Sequence, residues 1–83
     1  MKVLYFAWLR TRAGVAEEEV TPPADVRTVG DLLAWLRLRS DGHAAALKDL
    51  AIVRVAVNQD FARLDHPVKA GDEVALFPPV TGG

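Results

Sequence analysis

The sequence predicts an α+β domain in which one main helix lies across a mixed β-sheet. Three observations support this prediction. Strongly apolar segments with strand-forming residues occur at residues 2–8, 52–57 and 73–77. Only residues 29–36 show a strong helical spacing of apolar residues. The chain has 83 residues, which is enough for one hydrophobic core and too few for two.

The composition argues against several classes of function. Lys and Arg number 10 and Asp and Glu number 11, so a net charge of −1 gives no general attraction to nucleic acid or anionic membrane. Cysteine is absent, which excludes disulfides, thiolate metal sites and cysteine nucleophiles and fits a reducing compartment. The apolar run at residues 3–9 is too short to cross a bilayer, and Arg10 and Arg12 follow where a signal peptide would be cleaved. We therefore expect a cytoplasmic protein.

The first two predicted strands form a hairpin. Residues 2–8 make the first strand, and an Ala-Gly pair ending at Gly14 is a turn signal. Residues 16–21 make the second strand, which two prolines then end. We expect its three glutamates, Glu17–Glu19, to lie along a solvated edge, where their charge would prevent edge-to-edge association.

The main helix is predicted to begin after Thr28. Thr28 and Asp31 have the spacing of a capping box, with Asp in place of the usual Glu. Its buried face is expected to consist of residues at i, i+3, i+4 and i+7, namely Val29, Leu32, Leu33 and Leu36. We expect the helix to end near residues 40–42, with Gly42 as a left-handed cap, and a weaker helix to follow over residues 43–50.

Three further strands complete the predicted sheet. Residues 52–57 form a strand, residues 58–60 a turn and residues 61–64 a short strand. A turn at residues 68–72 leads into the last strand, residues 73–77. We expect the first and last strands to lie centrally, because both are strongly apolar. With this order of elements, a β-grasp is the leading topology.

No catalytic constellation is recognisable in the sequence. His43 and His66 are isolated and lack metal-binding spacing, so we interpret both as surface or turn histidines and predict no metal site. Ser40 is the only serine, and a turn or capping role is favoured over a nucleophile. We therefore expect the folded domain, residues 1–79, to be a scaffold.

The unusual feature is the predicted extended, flexible tail at residues 80–83. Its last residues, Gly82 and Gly83, have no side chain, so they fit a narrow channel. The α-carboxyl group of Gly83, with an ordinary pKa of about 3.5, is ionised at neutral pH. This carboxylate can attack the α-phosphate of ATP, and the resulting acyl adenylate is open to sulfur donors. A frayed terminus is the alternative interpretation.

A hydrophobic patch is predicted on the outer face of the sheet near this tail. Glu73 marks its side of the last strand as outward, so Phe77 on the same side is expected to be at least partly exposed. Lys2 likewise places Phe6 on the outer face, and Phe61 follows a turn close by. Exposed aromatic residues of this kind predict an interaction surface. The alternative is that a loop or the second helix covers them.

The most specific motif is the final heptapeptide, Phe77-Pro78-Pro79-Val80-Thr81-Gly82-Gly83. Further motifs are Val57-Asn58-Gln59, Asp65-His66-Pro67, Gly71-Asp72-Glu73-Val74, and the opening residues 3–7 followed by Arg10. Together they resemble the small, sulfur-carrier subunit of molybdopterin synthase, a ubiquitin-like β-grasp family. The resemblance covers nearly the whole chain, and residues 17–51 match mainly in pattern.

This resemblance implies a function and its partners. An ATP-dependent activating enzyme would adenylate Gly83, and a sulfur donor protein would convert the adenylate to a thiocarboxylate. The carrier would bind no cofactor itself. It would insert its tail into the large catalytic subunit of a synthase with two small and two large subunits. There the sulfur would pass to cyclic pyranopterin monophosphate, and the catalytic residues would belong to the large subunit.

The resemblance also assigns roles to individual residues. Gly83 would carry the sulfur and Gly82 would give clearance in the channel, while Thr81 and Val80 would extend the tail into the partner. Three phenylalanines would contact the partners: Phe6, Phe61 and Phe77. The assignment of Phe61 rests on the resemblance more than on strand periodicity.

Three alternatives stay open. A sulfur carrier of another pathway, such as that of the thiamin thiazole, would share the Gly-Gly end. The five residues before it, Phe77 to Thr81, favour the molybdopterin pathway. A ubiquitin-like modifier would use the same adenylation but form an isopeptide with lysines of target proteins. A plain binding module would have an inert tail.

Overall fold

The computed structural model of the chain describes residues 1–79. In chain order, these residues form β1 (Lys2–Tyr5), α1 (Trp8–Ala13), β2 (Glu17–Glu19), α2 (Val29–Leu36), α3 (Asp41–Ala46), β3 (Arg54–Val57), β4 (Asp60–Ala62) and β5 (Glu73–Phe77). A short 3-10 helix, Leu50–Ile52, precedes β3. The predicted tail, residues 80–83, lies outside the described residues.

The strands form one mixed sheet in the order β2-β1-β5-β3-β4. Strand β5 lies at the centre and β1 is next to it; these two strands are parallel, with Val3 opposite Val74, and the remaining pairs are antiparallel. Parallel neighbours require a long crossover connection, and the segment that contains α2 and α3 lies within it. The predicted α+β β-grasp architecture and the central position of the first and last strands are confirmed.

The core lies between α2 and the inner face of the sheet. The apolar face of α2 is fully buried, as its periodicity predicts: Val29, Leu32, Leu33 and Leu36. Alternate residues of the strands bury their side chains against it: Val3, Tyr5, Val55, Val57, Val74 and Leu76. The predicted capping box is present, because the Asp31 N–H donates to Thr28 Oγ1 (3.1 Å) and the Asp31 carboxylate accepts from the Thr28 N–H (3.2 Å).

The connection between β1 and β2 differs from the predicted tight hairpin. Strand β1 ends at Tyr5 rather than Trp8, because Ala7 adopts φ 55° and the chain then enters α1. Helix α1 ends at Gly14, where φ is 83°. The turn signal at Gly14 therefore marks the end of a helix. The two strands still pair antiparallel, with Lys2 opposite Glu19.

The predicted end of the main helix is also wrong. Helix α2 ends at Leu36, and Gly42 lies inside α3 instead of forming a left-handed cap. Ser40 is the N-cap of α3, where its Oγ accepts from the His43 N–H (3.1 Å), so the predicted capping role is confirmed. Gly42 lets α1 and α3 approach closely, because a Cβ at this position would lie 2.5 Å from the carbonyl oxygen of Arg12.

Candidate functional site

Three phenylalanines lie on the outer face of the sheet, at the end where β5 leads into Pro78. Phe61 is 83% exposed and Phe6 is 49% exposed, while Phe77 is half-buried. The ring centroids of Phe61 and Phe77 are 5.9 Å apart, with the ring planes tilted by 53°. We call these three residues the phenylalanine face. Their exposure excludes the alternative that a described loop or helix covers them.

Strand register places the phenylalanines together. Ala56 of β3 lies opposite Phe61 on one side and opposite Ala75 of β5 on the other. These small side chains leave the outer surface open beside the aromatic rings. The Phe6 N–H donates to the Leu76 carbonyl oxygen (3.0 Å), which extends the β1–β5 pairing past the end of β1. The phenylalanine face therefore spans the sheet from β1 to β4.

A groove of about 580 Å³ adjoins the phenylalanine face. Phe61, Phe77, Leu64 and Val53 contribute apolar lining, and Arg54 and Arg63 contribute positive charge. The family resemblance assigns roles to four further residues: Val80, Thr81, Gly82 and Gly83. These four lie outside the described residues. They follow Pro79 directly along the chain, and Pro79 lies two residues after Phe77 of this face.

A buried polar cluster was missed by sequence reasoning. The Glu18 side chain is only 16% exposed, and its Oε2 accepts from the Tyr5 hydroxyl (2.7 Å) and contacts His43 Nε2 (2.7 Å). His43 Nδ1 lies 2.7 Å from Ser40 Oγ. The prediction of a surface His43 is therefore wrong, and so is the prediction that all three glutamates lie along a solvated edge. His66 is exposed, as expected.

The cluster holds Glu18 in its ionised form. Burial raises the pKa of the Glu18 carboxyl, but hydrogen bonds from His43 and Tyr5 and the charges of His43 and Arg39 outweigh burial, so its pKa lies below the ordinary value. Burial and the hydrogen bond to Glu18 raise the pKa of Tyr5 well above its ordinary range. Because a carboxylate only accepts, His43 Nε2 carries a proton. The cluster joins β1 and β2 to α3.

The same cluster brings a serine, a histidine and a carboxylate together. A nucleophilic triad has this composition, but here Ser40 Oγ accepts from the first turn of α3 and His43 is buried. We therefore assign the cluster a structural role. Within residues 1–79, no three His, Asp or Glu side chains are grouped so as to hold a metal ion. None of the described helices has the length and apolar character needed to span a membrane.

Comparisons with known proteins agree with the fold. A model of the ThiS family matches residues 3–83, which include the tail. The molybdopterin synthase sulfur carrier subunit of Escherichia coli is 47% identical over 83 residues, covering 100% of this chain and 99% of that protein. A putative molybdopterin converting factor, subunit 1, from Pyrococcus furiosus is 37% identical, with 95% of each chain covered and a TM-score of 0.79. The small archaeal modifier protein 1 of Haloferax volcanii is 32% identical, covering 96% of this chain and 97% of that one, with a TM-score of 0.69.

Proposed function

Because this chain belongs to the ThiS family, we propose that it carries sulfur for molybdopterin biosynthesis as a thiocarboxylate on Gly83. The observation that carries the proposal is full-length similarity to a molybdopterin synthase sulfur carrier subunit, with a family match that runs to the terminal glycine. The absence of cysteine fits this chemistry, because the sulfur would be held by a backbone carboxyl group. It also fits action in the reducing cytoplasm.

The chemistry begins with adenylation of the tail. An ATP-dependent activating enzyme binds the carrier, and a carboxylate oxygen of Gly83 attacks the α-phosphate of ATP, so that pyrophosphate leaves. Sulfide supplied by a sulfur donor protein then attacks the acyl carbon, the bond from this carbon to the AMP oxygen breaks, and the thiocarboxylate remains as AMP leaves. Gly82 and Gly83 contribute by their lack of Cβ, which lets the carboxylate approach the reacting phosphorus closely. The carrier itself binds no cofactor.

Delivery of the sulfur requires docking to the large catalytic subunit. We propose that Phe6, Phe61 and Phe77 bind that subunit, since exposed aromatic side chains are typical anchors of interface cores. Val80 and Thr81 would then lead the glycines into the active site, where sulfur passes to cyclic pyranopterin monophosphate. A complex of two small and two large subunits follows from the family resemblance.

A ubiquitin-like modifier is the second candidate function. The observation that favours it is the similarity to small archaeal modifier protein 1. A modifier would share the adenylation step, but a lysine amine of a target protein would then attack the acyl adenylate. The product would be an isopeptide bond, which adds the whole chain to the target.

Intact-mass measurement distinguishes these functions. We expect the chain incubated with the activating enzyme, ATP and a sulfur source to gain the mass that corresponds to replacing one oxygen by sulfur. Because the chain has no cysteine, a thiol alkylator should then add one group that maps to Gly83. A variant that lacks Gly83 is the control and should stay unmodified. An unchanged native chain would contradict the sulfur-carrier proposal, and conjugates to lysine would support the modifier.

A further inference from the structure

We propose that Arg54 and Arg63 bind carboxylates of the large subunit, at the border of the cleft that receives Phe61 and Phe77. This inference rests on the proposed function, because it specifies the partner chemistry that the phenylalanine face selects. It predicts that the partner's cleft is apolar at its centre and acidic at its edge.

Strand register brings the two arginines to the aromatic pair. In the antiparallel β3–β4 pair, Ala56 lies opposite Phe61 and Val55 lies opposite Ala62. Continued one position past the end of β4, that register would bring Arg54 opposite Arg63. Alternation along β4 puts Arg63 on the same side as Phe61, and Arg54 lies directly opposite Phe77 in β5. Both arginines line the groove beside the two rings.

This placement has an electrostatic cost within the chain. Like charges on facing strand positions repel each other. The ion pairs found within residues 1–79 lie elsewhere, as in Lys2–Glu17 (3.0 Å) and Arg39–Glu18 (3.7 Å), and none of them includes Arg54 or Arg63. A pair of guanidinium groups that has no ion-pair partner within residues 1–79 and lies beside exposed aromatic rings favours a negatively charged partner.

Arg54 is also held in position for such a contact. Its Nη1 donates to the carbonyl oxygen of Ala51 (3.1 Å), which fixes the guanidinium beside the groove. Four further N–H donors remain on the group, because an arginine carries five. Guanidinium groups bind carboxylates with two parallel hydrogen bonds, and this geometry gives orientation as well as affinity.

Protein carboxylates fit this surface better than nucleic acid phosphates do. Protein–protein interfaces usually have an apolar centre surrounded by a polar rim, and two arginines beside an aromatic pair match this arrangement. The whole chain has a formal charge of −1, so it lacks the extended positive surface that a phosphate backbone requires. The paired charges would orient the carrier so that its tail points into the large subunit.

Titration of the purified large subunit with carrier variants tests the inference. We expect the double variant Arg54→Ala/Arg63→Ala to bind about tenfold more weakly at low salt, with a smaller loss of affinity as salt is raised. The reversal Arg54→Glu/Arg63→Glu should bind more weakly still. Arg54→Lys/Arg63→Lys should give intermediate affinity, because it keeps the charges but loses the two-bond geometry.

Two controls make the result interpretable. Arg37→Ala removes the same charge from an exposed site at the end of α2, and its affinity should equal that of the native chain. The thermal unfolding midpoint of Arg54→Ala/Arg63→Ala should stay close to that of the native chain, because relief of like-charge repulsion offsets the loss of the exposed hydrogen bond from Arg54 to Ala51.

The outcomes separate this inference from the proposed function. Native affinity and native salt dependence in both Arg54→Ala/Arg63→Ala and Arg54→Glu/Arg63→Glu would overturn the role of the arginines. If Phe61→Ala weakened binding in the same experiment, the phenylalanine face would still stand as the docking surface. Failure of the native chain to acquire sulfur in the mass measurement would instead overturn the proposed function.

Discussion

At the scale of single residues, Glu18 has a role that its two neighbours do not share. Glu17 and Glu19 lie on the exposed side of the edge strand, and Glu17 pairs with Lys2 at 3.0 Å. Glu18 lies on the other side, where it contacts Tyr5 and His43. A carboxylate with these partners stabilises the fold only while it is ionised.

This arrangement predicts a specific acid sensitivity. A group whose pKa is lowered by folding stabilises the protein above its unfolded pKa, and this contribution is lost as the pH falls through the folded pKa. For Glu18 the loss begins below its ordinary pKa of 4.5. We expect the free energy of unfolding of Glu18→Gln to be lower than native by roughly 1–3 kcal/mol at neutral pH and to fall less on acidification. Urea unfolding at a series of pH values measures both quantities.

Glu17→Gln is the matched control, because it makes the same chemical change on an exposed side chain of the same strand. We expect this variant to follow the native pH dependence closely. Equal pH dependence in Glu18→Gln and the native chain would show that the buried cluster does not link protonation to folding.

Local sequence patterns predict the inward position of Glu18 in this cluster, but they do not predict its contact with His43. Strand alternation alone places Glu18 opposite to Glu17 and Glu19, so its inward position was predictable from β2. Its partner His43 lies 25 residues further on, in a helix whose apolar pattern is weak. No local pattern pairs the two residues. By contrast, the exposure of Phe6 and Phe77 follows from alternation, because each shares a face with a charged residue.

At the scale of elements, helix α2 was predictable and α1 was not. The cap of α2 at Thr28 and its apolar face are both local patterns. Helix α1 has six residues, which is too short to be stable without tertiary contacts. It follows Ala7, which has a positive φ. Residues that carry a Cβ rarely adopt a positive φ, so an alanine in the sequence does not predict this change of direction. The packing of α1 against α3 therefore determines its formation.

The contact between α1 and α3 predicts an unusual effect of an alanine substitution. In an exposed helix, Gly→Ala stabilises by about 1 kcal/mol. At Gly42, the new Cβ would lie 2.5 Å from the Arg12 carbonyl oxygen and 3.2 Å from that of Ala13. Because both atoms belong to the backbone, the helices must separate, and we expect a net destabilisation of roughly 1–3 kcal/mol. Thermal unfolding measures the change.

Ala44→Gly serves as the reference for propensity in the same helix, since Ala44 is exposed. We expect this reverse substitution to destabilise as well, by about 1 kcal/mol. A higher unfolding midpoint for Gly42→Ala would mean that propensity outweighs the close approach and that α1 tolerates displacement.

At the scale of the whole molecule, the buried core and the proposed partner-binding surface lie on opposite faces of one sheet. The inner face packs against α2 and holds the fully buried side chains of β1 and β5. The outer face carries Phe61 and its neighbours, which contribute little to the core. Alternation along a strand makes this separation possible, because adjacent residues point to opposite faces.

Matched truncations on the two faces test this division. Phe61→Ala should leave the free energy of unfolding within about 0.5 kcal/mol of native, because the side chain is 83% exposed. We expect it to weaken binding to the large subunit about 30-fold or more, as loss of an interface anchor costs about 2 kcal/mol or more. Leu76→Ala on the inner face of β5 should instead lower the free energy of unfolding by about 2–5 kcal/mol. Comparable destabilisation by the two variants, or native affinity in Phe61→Ala, would show that the outer face is not reserved for a partner.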